Sequence, residues 1–357
     1  MTGFTAIDAF CGAGGLSLGL TNVGFEILAA FDLDPRCIET LNGNPKFIKH
    51  ESFQSDVKDM LGGALLKKVG IKKSELDLLA GGPPCQGFSV QRTVGGDSDS
   101  RNLLVDDYGD LIAEVLPRFF LMENVPGIGG KRGREIVDSF KTRMSSMGYF
   151  CHEKILDAQD FGVPQRRRRF ILVGEKLSKG GPHFEWPKQI SRTGKNTVRT
   201  AIGHLPPPPP EGGDHPQHVG HRADRLSEVN KARLMALKGG QARDDLPDHL
   251  LAECHRVSSD VIGHRNVYGR MAWDEVAPTI TARFDSFTRG KFGHPEQLRS
   301  ISLLEGALLQ TFPAKFQFSG TKVEVARQIG NAVPPKFAAA IGRAISKAIV
   351  LHKGDVK

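Results

Sequence analysis

The chain has 357 residues, of which 39% are apolar and 25% charged, a composition that excludes a disordered or fibrous protein. No apolar run approaches the roughly 20 residues of a membrane span, and the first residues lack a secretory signal, so we expect neither membrane insertion nor secretion. Five cysteines without a C-x-x-C pair argue against a disulfide scaffold and a structural zinc site, and they indicate a reducing cytoplasm.

Positive charge is concentrated in the second half of the chain. Residues 160–300 hold 23 Lys and Arg against 16 Asp and Glu, whereas residues 1–159 hold 17 against 21. Nine of the 12 histidines also fall within 160–300. This imbalance is typical of a protein that binds a polyanion, most simply nucleic acid. A basic surface that is only solvated explains the charge equally well.

The first 175 residues alternate short apolar runs with amphipathic stretches. Continuous apolar runs separated by helical periodicity predict a doubly wound, mostly parallel sheet of the α/β class. The predicted strands lie near 4–9, 26–31, 76–80, 118–122 and 169–174, with a further one before Asp56. The predicted helices cover 15–22, 35–42, 102–116 and 133–147.

The pattern changes over residues 176–298. Five consecutive prolines follow Leu205, and they can neither continue a helix nor pair within a sheet. The surrounding Gly, His and Trp residues favour a second, smaller domain with long loops. Helical periodicity returns over 302–310 and 334–351. We therefore expect a first domain over 1–175 that is completed by 299–357 and interrupted by the second.

A glycine-rich segment, Phe10-Cys11-Gly12-Ala13-Gly14-Gly15, lies between the first strand and the first helix. Glycines here let the backbone approach a ligand and expose amides to it. Ser17 occupies the third glycine position of G-x-G-x-x-G, which weakens a dinucleotide interpretation. Asp32 and Asp34 end the second strand, where a carboxylate can accept ribose hydroxyls, and Asp56 could bind an adenine amino group. The set predicts a nucleotide-like cofactor.

Cys85 follows a predicted strand within Gly81–Ser89, the sequence GGPPCQGFS. Two prolines stiffen the approach to the thiol, and flanking glycines let the loop move. Active sites of open α/β folds lie at the carboxyl ends of strands, so this cysteine is predicted to be a nucleophile. Cys11, Cys37 and Cys151 fit the role of small buried apolar side chains better.

Two further motifs carry ionisable groups. Glu123 ends an apolar strand within Glu123-Asn124-Val125, where partial desolvation favours a protonated, hydrogen-bond-donating carboxyl. Four arginines, 166–169, lead into the strand FILVG. Strand alternation predicts Arg167 and Arg169 on one face and Arg166 and Arg168 on the other. One pair can then line the site and hold substrate oxygens and a thiolate, while the opposite pair can meet phosphate or form ion pairs.

Together these segments resemble the cytosine-C5 DNA methyltransferases of bacterial restriction-modification systems. The resemblance runs nearly end to end and in order, through FCGAGG, FDLD, GGPPCQGFS, DSRNLL, ENV, QRRRRF, RSISLLEGALLQTFP and QIGNAVPP. It implies the Rossmann-like fold of S-adenosylmethionine-dependent methyltransferases, and it makes residues 176–298 an inserted target-recognition domain.

The resemblance also implies a mechanism. Cys85 adds to C6 of a cytosine that is flipped out of the duplex, Glu123 acts at N3, and Arg167 and Arg169 support O2 and the thiolate. The activated C5 then takes the methyl group. The implied contacts to S-adenosylmethionine are Phe10, Gly12, Ala13, Gly14, Gly15, Asp32, Leu33, Asp56, Val57, Pro83, Leu104, Asn331 and Val333. Family members often carry Glu where Asp32 stands, and an acidic or neutral residue where Arg168 stands.

Residues expected to contact DNA are Gln86 and Ser89 beside the nucleophile and, in the basic insert, Arg265, Tyr268, Arg270, Arg283 and Arg289. The spacing of His215, His218 and His221 invites a metal interpretation, but no acid or cysteine completes the set, so we expect no metal site. Trp186 and Trp273 are expected in the core of the smaller domain.

The expected partner is double-stranded DNA, which places the enzyme at the bacterial nucleoid while it acts. A cognate restriction endonuclease would act independently of it, and we expect the enzyme itself to be a monomer. Two alternatives stay open at this point. The first is an enzyme that uses the same chemistry on a tRNA cytosine, and the second is a catalytically silent DNA-binding relative.

Overall fold

The computed structural model describes residues 3–84, 103–131, 133–178, 180–190, 196–210, 212–253 and 267–354. The chain divides into two compact units. The sheet unit comprises Met1–Phe161, Arg168–Gln189 and Val333–Lys357, and the insert unit comprises Gly162–Arg167 and Ile190–Ala332. The units therefore divide near residues 190 and 333, whereas the sequence places the domain boundaries at 176 and 299.

Seven strands form one sheet: β1 (Phe4–Ala9), β2 (Phe25–Asp32), β3 (Glu51–Gln54), β4 (Leu78–Gly81), β5 (Phe119–Asn124), β6 (Tyr149–Asp157) and β7 (Arg168–Lys176). Their order is β3-β2-β1-β4-β5-β7-β6. The strands β1 to β5 are parallel, and β7 runs antiparallel to both β5 and β6. The predicted α/β class with a mostly parallel sheet is confirmed.

The described helices are α1 (Gly15–Thr21), α2 (Pro35–Asn42), α3 (Ala64–Val69), α4 (Leu103–Val115), α5 (Arg134–Ser146), α6 (Val198–Ile202), α7 (Glu228–Ala236), α8 (Leu303–Leu309), α9 (Lys322–Asn331) and α10 (Pro335–Gly354). Among these, α1 packs closely on α10 in the sheet unit. A Cβ at Gly19 would lie 2.4 Å from that of Ala338, so this approach requires glycine. Through α10, the end of the chain completes the sheet unit. None of the described helices is long and apolar enough to cross a bilayer.

The core of the sheet unit surrounds its central strands. All four residues of β4 and the first four of β5 are buried, which explains why both strands are continuously apolar in sequence. Tyr108 of α4 is fully buried, and its hydroxyl lies 3.1 Å from the carbonyl of Leu79 and 3.0 Å from that of Leu121. The helix is thereby held across two neighbouring strands at the level of the core.

Residues 177–189 belong to the sheet unit because Glu175 holds them. This fully buried carboxylate accepts the backbone N–H groups of His183 and Phe184 at 2.6 and 2.9 Å, and it lies 3.2 Å from Nε2 of His152. Burial alone would raise the pKa of Glu175, but these three bonds outweigh it and lower the pKa. The segment is therefore fixed to the end of β7 rather than to the insert unit.

Residues 299–332 belong to the insert unit through buried polar contacts. Nε2 of Gln165 donates to Oε1 of Gln310 at 2.7 Å, and the N–H of Ile280 donates to Oε1 of Gln165 at 2.8 Å. The Arg299 guanidinium forms two bonds to Glu305, at 2.6 and 2.7 Å, and both residues are buried. These contacts join the short segment 162–167 and the region around α8 to the basic insert.

Candidate active site

Several of the predicted residues of the sheet unit lie at one edge of the sheet. Strands β1 to β5 are parallel, so their carboxyl ends lie on the same side, which is where open α/β sheets bind ligands. The glycine loop follows β1, Asp32 ends β2, and Asp56 follows β3. Pro83 follows β4, and Glu123 lies near the end of β5.

The glycine loop has an unusual backbone. Phe10, Gly12 and Gly14 all have positive φ, at 57°, 51° and 79°. A Cβ at Gly14 would lie 2.3 Å from Cδ2 of Leu41, whereas one at Gly12 would meet nothing within 4 Å. Gly14 is therefore packed against the protein, and Gly12 leaves an open face toward a ligand.

Asp32 connects this loop to the second strand. Its Oδ2 accepts the N–H of Gly12 at 2.8 Å, and its Oδ1 accepts the N–H of Asp34 at 2.9 Å. Burial raises the pKa of Asp32, although both bonds oppose the shift. Next to it, Leu33 is 63% exposed and its carbonyl accepts Nε2 of Gln54 at 3.2 Å. The loop, the end of β2 and the end of β3 are thus joined by hydrogen bonds.

The remaining predicted cofactor contacts differ in exposure. In the sheet unit, Val57 and Pro83 are buried, and Phe10, Leu104 and Val333 are half-buried. Asp56 accepts the N–H of Lys58 at 3.0 Å and so caps a short helical turn. Asn331 is exposed and belongs to the insert unit.

Asn124 links β5 to the loop after β4. Its Nδ2 donates to the carbonyl of Pro83 at 2.9 Å, and its Oδ1 accepts the N–H of Val125 at 2.8 Å. The side chain is buried, so the bonds are shielded from water. No role for Asn124 itself was predicted, although its place in the Glu-Asn-Val triplet was a signal. Of the predicted residues, Cys85, Gln86, Ser89 and Arg265 lie outside the described residues.

Glu123 forms an ion pair with Arg169. The distance between Oε1 of Glu123 and Nε of Arg169 is 2.8 Å, and the two side chains are 11% and 13% exposed. Antiparallel pairing of Glu123 with Ile171 brings the start of β7 beside the end of β5. A Cβ at Gly82 would lie 3.4 Å from Oε2 of Glu123, so the loop after β4 runs close to this carboxylate. The ion pair therefore lies next to the loop that follows β4 and contains Pro83.

Arg167 does not form the expected pair with Arg169. It precedes β7, belongs to the insert unit and is only 1% exposed. Its Nη1 donates to the carbonyl of Ile280 at 2.9 Å, and its Nη2 donates to those of Gly330 and Ala332, each at 3.0 Å. The expected placement on one strand face with Arg169 is therefore wrong, because backbone carbonyls occupy this guanidinium.

Arg270 is likewise not available for DNA contact. The side chain is 4% exposed, and it donates to the carbonyls of His294 at 2.8 Å and Leu234 at 2.7 Å. Its prediction as a DNA contact is wrong for this conformation, because the guanidinium is buried and donates its hydrogen bonds to backbone carbonyls of the insert unit. In contrast, Arg283 and Arg289 are exposed. Tyr268 is half-buried against Phe287, with Arg233 stacked over its ring.

The histidine set forms a tight turn. Backbone N–H groups of His218 and His221 donate to the carbonyls of His215 and His218, at 2.9 and 3.0 Å. The buried His221 ring lies 2.9 Å from the Ser302 hydroxyl and 2.7 Å from the Pro206 carbonyl. Within the described ranges, no group of three or more His, Cys, Asp or Glu is arranged to hold a metal ion.

Residues 4–347 match the family profile described as C-5 cytosine-specific DNA methylase. The type II methylase M.HgiDII of Herpetosiphon aurantiacus is 37% identical over 96% of this chain and 94% of its own length. The type II methyltransferase M1.HphI of Haemophilus parahaemolyticus is 35% identical over 96% of this chain and 87% of its own.

Solved structures show the same fold. One from E. coli, described as a DNA modification methyltransferase encoded within a prophage, has a TM-score of 0.73 at 25% identity and covers 97% of this chain and 99% of its own. A DNMT2 from Spodoptera frugiperda has a TM-score of 0.62 at 16% identity, covering 96% and 99%. With the family profile spanning nearly the whole sequence, the chain belongs to the C-5 cytosine-specific DNA methylase family and is a DNA cytosine methyltransferase.

Proposed function

We propose that the protein transfers the methyl group of S-adenosylmethionine to C5 of a cytosine within a specific double-stranded DNA sequence. The reaction would proceed through a covalent bond between Cys85 and C6 of a base flipped out of the duplex. The observation that carries this proposal is the Glu123–Arg169 ion pair, next to the loop that leads from Pro83 to Cys85.

The cofactor loop fits a nucleoside methyl donor. Gly12 has open space where a side chain would stand, and Asp32 presents a carboxylate at the end of β2. Together with Phe10, Leu33, Asp56 and the other sheet-unit contacts given above, these residues would hold S-adenosylmethionine. When bound, S-adenosylmethionine supplies an electrophilic methyl group, which the C5 carbon of cytosine attacks.

The chain's own residues activate the base. Addition of the Cys85 thiolate to C6 forms a C–S bond and moves the electrons of the C5=C6 double bond toward C5 and N3. Glu123 donates a proton or hydrogen bond at N3, which stabilises the charge that develops there. Arg169 orients this carboxyl and would place a positive charge near the O2 edge.

Methylation leaves C5 with both a proton and a methyl group. Loss of that proton returns an electron pair to the ring, the C5=C6 double bond re-forms, and the C–S bond breaks to release the Cys85 thiolate. No step of this reaction requires an oxidant or a reductant. Flipping the base costs a few kcal/mol of stacking and pairing, which contacts to the displaced base and strand must offset.

A mechanism-based trap tests the nucleophile. A duplex carrying 5-fluorocytosine, incubated with S-adenosylmethionine, should give a denaturation-resistant adduct, because fluorine cannot leave as the C5 proton does. Cys85→Ser should give no adduct. Cys151→Ser is the matched control: burial raises the pKa of Cys151 to about 11, which keeps that thiol protonated, so its variant should still be trapped. An adduct with Cys85→Ser, or none with the wild type on its own target sequence, would overturn the proposal.

The nucleic-acid substrate is tested separately. Tritiated S-adenosylmethionine is incubated with duplex DNA or with tRNA, and the label is counted in each. Label in DNA supports the proposal, label only in tRNA supports the alternative enzyme, and label in neither supports a catalytically silent relative. Sequencing the 5-methylcytosine positions in DNA from an expressing host then identifies the target.

We also propose that the basic insert determines the target sequence. Because Glu175 fixes residues 177–189 to the sheet unit, an exchange should begin at residue 190 and end at 298. The chimera with a relative's insert should methylate the relative's sites. Exchanging only α5 with the same relative is the control and should leave the site unchanged. Unaltered site choice in the insert chimera would contradict the recognition role.

A further inference from the structure

Asp8 is a buried carboxylate that the proposed mechanism does not use. It lies on β1, two residues before Phe10, with Ala30 of β2 and Ala80 of β4 as its register partners. The side chain is 1% exposed. Its Oδ2 accepts both the N–H of Ser17, at 3.0 Å, and the Ser17 hydroxyl, at 2.6 Å. Oδ1 is buried and has no hydrogen-bond partner among the described residues.

The contact between Asp8 and Ser17 spans the glycine loop. Asp8 precedes the loop and Ser17 follows it, in α1, so one carboxylate fixes the distance between the two ends. Gly14, the residue before α1, provides no side-chain cap of its own. Phe10 has a positive φ without being a glycine, and such a conformation persists only where surrounding contacts hold it. Asp8 supplies that restraint from the core side.

Four groups face Asp8 from the surrounding elements: Ser17 of α1, Asp32 of β2, Cys11 of the loop and Tyr108 of α4. Burial raises the pKa of Asp8 to about 7, the two bonds from Ser17 oppose the shift, and the charge of Asp32 adds to it. Burial also raises the pKa values of Cys11 and Tyr108, so both are neutral near pH 7. Asp32 is therefore the acid among these four neighbours whose negative charge acts on Asp8 and raises its pKa.

We propose that Asp8 is a positioning residue of the cofactor loop and that its negative charge favours the cationic methyl donor over the demethylated product. The inference rests on the proposed function, since it takes S-adenosylmethionine as the donor. S-adenosylmethionine carries one more positive charge than S-adenosylhomocysteine, at its sulfonium. A carboxylate in a low-dielectric core behind the loop attracts that charge more strongly than it would in water.

Calorimetric binding of both compounds to the full chain, between pH 6 and 8, tests the inference. The ionised fraction of a group with a pKa of about 7 rises from about one tenth to about nine tenths over this range. The affinity for S-adenosylmethionine, relative to that for S-adenosylhomocysteine, should therefore increase by up to about tenfold with pH. In Asp8→Asn, which keeps an acceptor for Ser17, this increase should disappear. Protonation of the ligands themselves changes with pH in the same way for the wild type and Asp8→Asn, so it cancels when the two affinity profiles are compared.

Two further variants separate positioning from a general loss of stability. Ser17→Ala removes one bond that lowers the pKa of Asp8, so the midpoint of the affinity profile should move to higher pH. Asp77→Asn is the matched control, because Asp77 is also buried and accepts the Thr5 N–H and Arg118 Nε, at 3.1 and 3.2 Å, at the opposite end of the strands. It should lower the melting temperature and leave the profile unchanged.

The possible results distinguish a failure of the proposed function from a failure of the role proposed for Asp8. If the wild-type chain binds neither compound, the proposed function is overturned, and the role of Asp8 falls with it. If the wild type binds both compounds and Asp8→Asn keeps the same pH profile, the role of Asp8 alone is overturned. An unmoved midpoint in Ser17→Ala would likewise contradict it.

Discussion

Arg169 and Glu123 meet across two antiparallel strands, with 2.8 Å between Nε and Oε1. Arg169 lies near the start of β7 and Glu123 near the end of β5, so the reversed direction of one strand is what brings the two side chains together. A fully parallel sheet would place the start of the neighbouring strand at the opposite edge. The antiparallel β7 therefore contributes directly to the candidate site.

Glu123→Gln should abolish most turnover while leaving cofactor binding intact. Glutamine has nearly the same shape but cannot donate a proton to N3, and general acid catalysis is worth on the order of 10²–10⁴ in rate. Single-turnover methyl transfer to the identified DNA target measures the effect. Glu153→Gln is the control, because Glu153 is also ion-paired in the sheet unit, with Arg134 and Lys141, and its loss should change the rate less than about twofold. Equal rates for the two variants would contradict the assignment.

Arg167→Met should destabilise the protein rather than act on a catalytic step. The change deprives the buried carbonyls of Ile280, Gly330 and Ala332 of their donor, which we expect to cost about 3 kcal/mol or more. The neighbouring Arg166 is exposed, so Arg166→Met should leave the melting temperature within about 1 °C. Wild-type stability combined with lost turnover in Arg167→Met would restore the catalytic role that the sequence suggested.

The sheet could be predicted largely because the sequence patterns that mark its strands and helices are local. Five of the strands and five of the helices begin and end within about two residues of the predicted positions, since each carries its own apolar pattern: β1, β2, β4, β5 and β7, and α1, α2, α4, α5 and α8. Helix α10 begins within one residue of its predicted start but ends three residues later than predicted, at Gly354. Strand β6 was missed. Its residues Phe150–Lys154 are exposed or half-buried and include His152 and Glu153, so no apolar run marks it. Helices α3, α6, α7 and α9 were also not predicted.

The roles of the buried arginines could not be predicted. Arg167 is held by carbonyls more than 110 positions away in sequence, and Arg270 by carbonyls 24 and 36 positions away. A run of arginines does not reveal which member meets such acceptors. Conversely, the glycine loop, Asp32 and Glu123 converge as expected, because strand order and direction alone bring the carboxyl ends together.

Arg289→Ala should weaken DNA binding, whereas Arg270→Ala should lower the stability of the protein. The exposed Arg289 is free to meet a phosphate, so its loss should weaken DNA binding and reduce the slope of log affinity against log salt by about one. Loss of the buried Arg270 leaves carbonyls without donors and should instead lower the melting temperature. Fluorescence anisotropy at several salt concentrations, paired with thermal unfolding, measures both effects. A full salt slope in Arg289→Ala would exclude a phosphate contact.

His294 should make the stability of the insert unit depend on pH. The pKa of His294 is lowered to about 4, chiefly by burial and then by the charges of Arg299, Arg270 and His221, against the opposing effect of Glu305. Nδ1 accepts the N–H groups of Glu296 and Gln297 at 3.2 and 3.0 Å, and this requires the neutral ring. The unfolded chain takes up a proton below its ordinary pKa of 6.5, whereas the folded chain does so only near pH 4.

Stability from this histidine is therefore complete above about pH 6.5 and is lost as the pH falls toward 4, by up to about 3 kcal/mol. Thermal unfolding of wild type and His294→Asn between pH 4 and 7.5 should show a shallower pH dependence in the variant, because asparagine keeps an acceptor without titrating. His249→Asn, at an exposed position of the same unit, is the control and should retain the wild-type dependence. His221, whose pKa burial also lowers, is present in all three proteins and contributes equally. An unchanged slope in His294→Asn would show that other groups carry the acid sensitivity.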